Sequence, residues 1–90
     1  MKSEITENFL SLFRALPADA QKQTRAAYRL FLENPRHPGL QVKGINSKTP
    51  NLYSARIGDH YRAIGKLIGD TIYWDWLGTH EEYNKLINRL

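Results

Sequence analysis

Two Gly-Asp dipeptides, Gly58-Asp59 and Gly69-Asp70, fall between runs of alternating apolar residues, and together they oblige the middle of this chain to fold back on itself twice. Leu52 to Ile57, Tyr61 to Ile68 and Thr71 to Leu77 each carry the period of two that a half-buried strand requires. Short glycine-bearing connections join antiparallel neighbours. These runs therefore predict an antiparallel meander.

The register of the meander can be worked out on paper. A two-residue loop at Gly69-Asp70 sets Ile68 opposite Thr71, Leu67 opposite Ile72, Gly65 opposite Trp74 and Ala63 opposite Trp76. Each indole then meets a small residue, which predicts a core face of Tyr61, Ala63, Gly65, Leu67, Ile72, Trp74 and Trp76. Arg62, Ile64, Lys66, Tyr73, Asp75 and Leu77 fall on the opposite face. In the first hairpin a two-residue loop would drive Arg56 into the core as an unpaired charge, which is expensive. A three-residue loop, Gly58-Asp59-His60, instead pairs Ile57 with Tyr61, Arg56 with Arg62 and Ala55 with Ala63. This register adds Tyr53, Ala55 and Ile57 to the core and makes Arg56 and Arg62 cross-strand neighbours on the outer face.

The period is different on either side of the meander. Ile5, Phe9, Leu12, Phe13 and Leu16 form one helical stripe behind a Thr6 N-cap. Pro17 ends that helix and opens a second, which runs to about Glu33 with Ala20, Ala27, Leu30 and Phe31 as buried candidates and Asn34-Pro35 as its stop. A short strand is expected over Leu40 to Ile45, then the polar loop "NSKTPN". Lys2 to Ile5 is a candidate for one further strand. "THEEYNKLINRL" predicts a last helix, with Thr79 and Glu82 forming a capping box. The predicted fold class is α+β, a single domain over residues 1–90: an N-terminal helical hairpin on one face of a small antiparallel sheet, with a short C-terminal helix.

Composition narrows the function classes. Ninety residues supply one core. The absence of cysteine excludes disulfides and Cys-based zinc sites. The scattered His37, His60 and His80 lack metal-ligand spacing, and no phosphate-loop pattern occurs, so neither a metal nor a cofactor is expected. "MKSEITENF" does not read as a signal peptide, and no stretch has the length of a membrane span, so a cytoplasmic protein without a membrane partner is expected. The net charge of +4 suits a nucleic acid or an acidic protein as partner.

Like charges directly opposite one another on a sheet are destabilising. Arg56 and Arg62 thus need either a neutralising carboxylate, for which Asp75 or Glu82 is available, or an anion to hold. The arginine fork matches phosphate oxygens, and Lys66 and Lys43 would deepen such a site.

"YSARIGDHYRAIG", "NPRHPGL" and "WDWLGTHEEY", in this order and with this size and charge, resemble the RelE/ParE superfamily of toxins from type II toxin–antitoxin pairs. The resemblance implies a helical hairpin on a small antiparallel sheet and a cognate antitoxin as partner. RelE-like members cut mRNA on the ribosome with arginine or lysine and a histidine or tyrosine, whereas ParE-like members poison DNA gyrase. By this resemblance Arg62, Arg56, His80 and Tyr83 are the candidate catalytic residues, with Lys66 and Lys43 contacting RNA. Histidine is the natural acid or base among them because it titrates near neutrality. Three classes stay open: a ribosome-dependent endoribonuclease, a non-catalytic gyrase-binding toxin that does not need His80 or Tyr83, and a basic binding module. Each residue also has a plainer role available: His80 as an exposed helix residue, Tyr83 as a core residue of the last helix.

Overall fold

The computed structural model describes residues 1–45 and 48–89. Asn46 and Ser47, which open the loop "NSKTPN", and Leu90, the end of the last predicted helix, lie outside the described residues. Strand β1 (Lys2–Ile5) leads into helix α1 (Glu7–Arg14), and α2 (Ala18–Glu33) follows after Pro17. Thr6 caps α1 by accepting from the Phe9 amide at 3.2 Å. The Gln21 side chain donates to the Phe13 and Leu16 carbonyls, which ties the end of α1 to α2 and satisfies acceptors that a helix terminus leaves open. The helical hairpin is as expected.

Beyond α2, a 3₁₀ turn at Pro38–Leu40 precedes β2 (Lys43–Gly44). The strand expected over Leu40 to Ile45 is therefore shorter. Leu40 is buried in the core from the turn, and Gln41 adopts a left-handed φ of 47°, which interrupts extended backbone. Strands β3 (Leu52–Ile57), β4 (Tyr61–Ile68) and β5 (Thr71–Thr79) and helix α3 (His80–Ile87) complete the chain.

The sheet order is β1-β5-β4-β3-β2. Strands β2 to β5 are antiparallel, but β1 runs parallel to β5, so the sheet is mixed rather than wholly antiparallel. No hairpin turn follows β1; Thr6 carries the chain straight into α1, and its amide donates to the Trp74 carbonyl at 3.1 Å.

The first hairpin has the expected register, with Ile57 opposite Tyr61, Arg56 opposite Arg62 and Ala55 opposite Ala63, and Gly58 supplies the positive φ of its loop, 58°. The second hairpin follows the expected register from Ile68 opposite Thr71 as far as Gly65 opposite Trp74. There a β-bulge intervenes. Ile64 pairs with Trp76 and Ala63 with Leu77, leaving Asp75 as the extra residue. The expected placement of Trp76 in the core and Leu77 outside is thus reversed. An inserted residue exchanges the two faces for everything beyond it. Leu77 joins Phe9, Phe31, Ala55, Ile57, Ala63, Ile72 and Trp74 between the sheet and the helical hairpin. Trp74 meets Phe31 edge to face, with ring centroids 5.3 Å apart.

Helix α3 crosses the other face of the sheet, against β4 and β5. Ile64 and Tyr83 are buried there, apart from the main core cluster.

Candidate functional site

Residues directly opposite one another, or two apart along a strand, share a face. Arg56 and Arg62 are opposite, Lys66 is opposite Leu52, and Lys43 is opposite Ser54. The pairing therefore places all four predicted cations on the face that α3 crosses. The capping box brings His80 and Tyr83 to the same place. Thr79 accepts from the Glu82 amide at 3.1 Å and Glu82 accepts from the Thr79 amide at 2.8 Å, while the His80 amide donates to the His60 carbonyl at 2.8 Å. The start of α3 is in this way pinned to the turn that separates the two arginines.

Arg62 lies at the centre. Its Nε donates to His80 Nδ1 at 3.2 Å, and its guanidinium carbon sits 5.2 Å from the centroid of the Tyr83 ring, a cation–π contact. The His80 and Tyr83 rings lie stacked, 6.3 Å apart with 28° between their planes. Tyr83 is only 5% exposed, so the side chain that carries Arg62 is fixed by packing under α3, whereas His80 is exposed. Because Nδ1 accepts from Arg62, a neutral His80 in this arrangement carries its proton on Nε2. Nη1 of Arg62 and Oγ of Ser54 are buried without a hydrogen-bond partner among the described residues.

Arg56 behaves differently. Its Nη2 pairs with Asp59 at 2.6 Å and its Nε donates to the Gly58 carbonyl at 2.9 Å, so the loop carboxylate holds it. Neither carboxylate considered from the sequence reaches the arginines. Asp75 accepts from Thr6 Oγ1 at 2.8 Å, and Glu82 is occupied by the cap. Among the described residues the ion pair of Arg56 with Asp59 is the only one, and Arg62 has no carboxylate partner. Lys66 and Lys43 are exposed. Sequence reasoning missed Asp59 as the partner of Arg56, although its position three residues away was a readable signal. It also missed Trp76, which stands on this face beside Tyr83 at 6.5 Å between ring centroids.

Among the described residues no three His, Cys, Asp or Glu side chains gather as metal ligands, and no helix is long and apolar enough to cross a membrane.

The architecture is that of known toxins. The RelE toxin in its complex with RelB from Methanococcus jannaschii superposes with a TM-score of 0.68 at 19% identity, covering 92% of this chain and 96% of that one. Isolated Escherichia coli RelE superposes at 0.61 with 20% identity over 98% and 96% of the two chains. The YoeB/ParE toxin of Agrobacterium tumefaciens gives 0.67 with 14% identity over 89% and 99%. No curated protein sequence matches the chain. The ParE-like toxin domain matches residues 18–85, which span the site from α2 to α3. This chain belongs to the ParE-like toxin domain family and has the RelE fold.

Proposed function

We propose that this protein is the toxin of a toxin–antitoxin pair and that it cleaves mRNA on the ribosome, in the cytoplasm, at Arg62 and His80. The observation that carries this reading is the bond from Arg62 Nε to His80 Nδ1, made by an arginine that no carboxylate neutralises. In such cleavage a 2′-hydroxyl attacks the adjacent phosphate, the new O–P bond forms, and the bond to the 5′-oxygen breaks. The pentavalent transition state gathers negative charge, and the leaving oxygen needs a proton. Arg62 supplies the charge, with Nε on His80 and Nη1 buried, so that Nη2 is the nitrogen left to meet the phosphate. His80, with its proton on Nε2, is suited to donate a hydrogen bond to the leaving oxygen, while the proton of the attacking hydroxyl passes to a base outside this pair and the leaving oxygen takes its proton from water. Tyr83 has almost no ring surface open to a base, so its part is to hold Arg62 in place. Arg56, paired with Asp59, adds little positive field while that pair is closed, and Lys66 and Lys43 follow the RNA backbone.

The test is cleavage of ribosome-bound mRNA by purified protein, with growth arrest on induction measured alongside. Wild type should do both, and His80→Gln should do neither while unfolding at the wild-type temperature. The matched family is described as ParE-like, which favours a second reading, a toxin that blocks DNA gyrase without chemistry. Growth arrest without cleavage, unchanged in His80→Gln, would select that reading.

The relatives solved as the RelB–RelE and DinJ–YafQ complexes support a cognate antitoxin as partner. An apolar groove of about 480 Å³ between the end of α2 and the sheet, floored by Tyr53, Leu67 and Ile72, offers it a place to dock. Copurification with the product of the neighbouring gene is expected, and two folded proteins that fail to associate at low salt would count against it.

A further inference from the structure

The bulge at Asp75 does more than shift a register. Without it Trp76 would follow Trp74 toward the helical hairpin; with it Leu77 fills the core and Trp76 is turned onto the face of α3. Bulges that re-aim a side chain are frequent beside functional sites. This one is clamped from outside the sheet, since Thr6 Oγ1 donates to the Asp75 carboxylate at 2.8 Å and Asn8 Nδ2 donates to the Asp75 carbonyl at 2.6 Å. The indole is pressed against the backbone at Gly78, where a Cβ would stand 2.6 Å from its Cζ2 and Cη2 atoms. Its position is fixed before anything binds.

Trp76 is half-buried, and the surface it keeps lines a cleft of about 230 Å³ with Glu82, Lys85, Leu86 and Arg89. Lys85 lies in the last turn of α3 and Arg89 four residues on, just past the helix, and among the described residues neither is in an ion pair. Tyr83 stands between this cleft and Arg62, in ring contact with Trp76 and in cation–π contact with the arginine.

We propose that the Trp76 cleft is a second RNA subsite, where one nucleobase of a single strand stacks on the indole and its phosphate lies between Lys85 and Arg89. This rests on the RNA reading of the Arg62 site and extends it to a neighbouring nucleotide. An aromatic face flanked by cations binds single-stranded nucleic acid with little regard to sequence, because every base offers a π-face. An acidic peptide would be served by the cations alone, with no use for a fixed indole. Glu82, one turn before Lys85 on the same helix, also lines the cleft, and its Oε1 is engaged by the Thr79 amide.

The test is equilibrium binding of a short labelled single-stranded RNA, followed by fluorescence anisotropy in the His80→Gln background, where the strand stays uncut. Trp76→Leu should weaken binding about tenfold, the loss typical of one stacked base, and Trp76→Phe should restore most of it. Changing both Lys85→Gln and Arg89→Gln should flatten the salt dependence by about 0.7 in log–log slope, one phosphate of a single strand. These two side chains are exposed, so that variant stays informative even if Trp76→Leu fails to fold. Unchanged affinity in folded Trp76→Leu, an unchanged slope in the double variant, or equal binding of a glutamate peptide of the same charge would overturn the proposal. RNA bound through Trp76 by a protein that cuts no mRNA supports the subsite and removes the nuclease. A nuclease that binds RNA without regard to Trp76 does the reverse.

Discussion

Arg62 and Arg56 carry the same charge on the same face, yet their surroundings differ. Arg62 is held between His80 and the Tyr83 ring without a carboxylate, while Arg56 already has Asp59. Arg62→Ala should therefore cut the cleavage rate by about 10²–10³, the usual loss when a transition-state charge contact is removed. It should also lower stability by about 1 kcal/mol, because a hydrogen bond and a cation–π contact go with it. Arg56→Ala should reduce cleavage by a much smaller factor, and single-turnover rates for the two variants check the order. Equal losses would mean that Asp59 releases Arg56 when RNA binds. The sequence named both arginines and put them opposite each other, because a hairpin register follows from loop length and burial of charge. It did not reveal which carboxylate would reach which arginine. That depends on where flexible side chains turn once the loop is formed.

At the scale of the elements, the site depends on the first turn of α3. Thr79 ends β5 and caps the helix, so it sets where His80 begins and how Tyr83 meets Arg62. Thr79→Ala should destabilise the protein by about 1 kcal/mol, the usual loss of an N-cap. Cleavage should fall with it even where the protein remains folded, and thermal unfolding with cleavage assays on the same samples would show both. An unchanged cleavage rate would mean that the His60 carbonyl alone suffices to hold the start of the helix. The capping box was readable from Thr79 and Glu82, as were both hairpins and the helical pair joined at Pro17. The direction of β1 was not readable, since no turn ties it to its neighbour. The bulge was hidden for a related reason. Alternation reads as a continuous strand through Trp74, Asp75 and Trp76, and only the contacts of Asp75 with Thr6 and Asn8, far away in sequence, show which residue stands out of the ladder.

In the whole molecule, the two faces of the sheet are unlike. The helical hairpin and its apolar core lie on one side; the cations, His80 and the aromatic residues beneath α3 lie on the other. The central claim is that Arg62 and His80 act as one cleavage unit on that second side. The most direct measurement is a double-mutant cycle on the rate of ribosome-bound mRNA cleavage, comparing wild type, Arg62→Ala, His80→Gln and the double variant at saturating protein. Residues that act as a unit are strongly non-additive, so the double variant should be no slower than the slower single variant, within about threefold. Losses that multiply, or a His80→Gln variant that cuts at the wild-type rate, would contradict the claim.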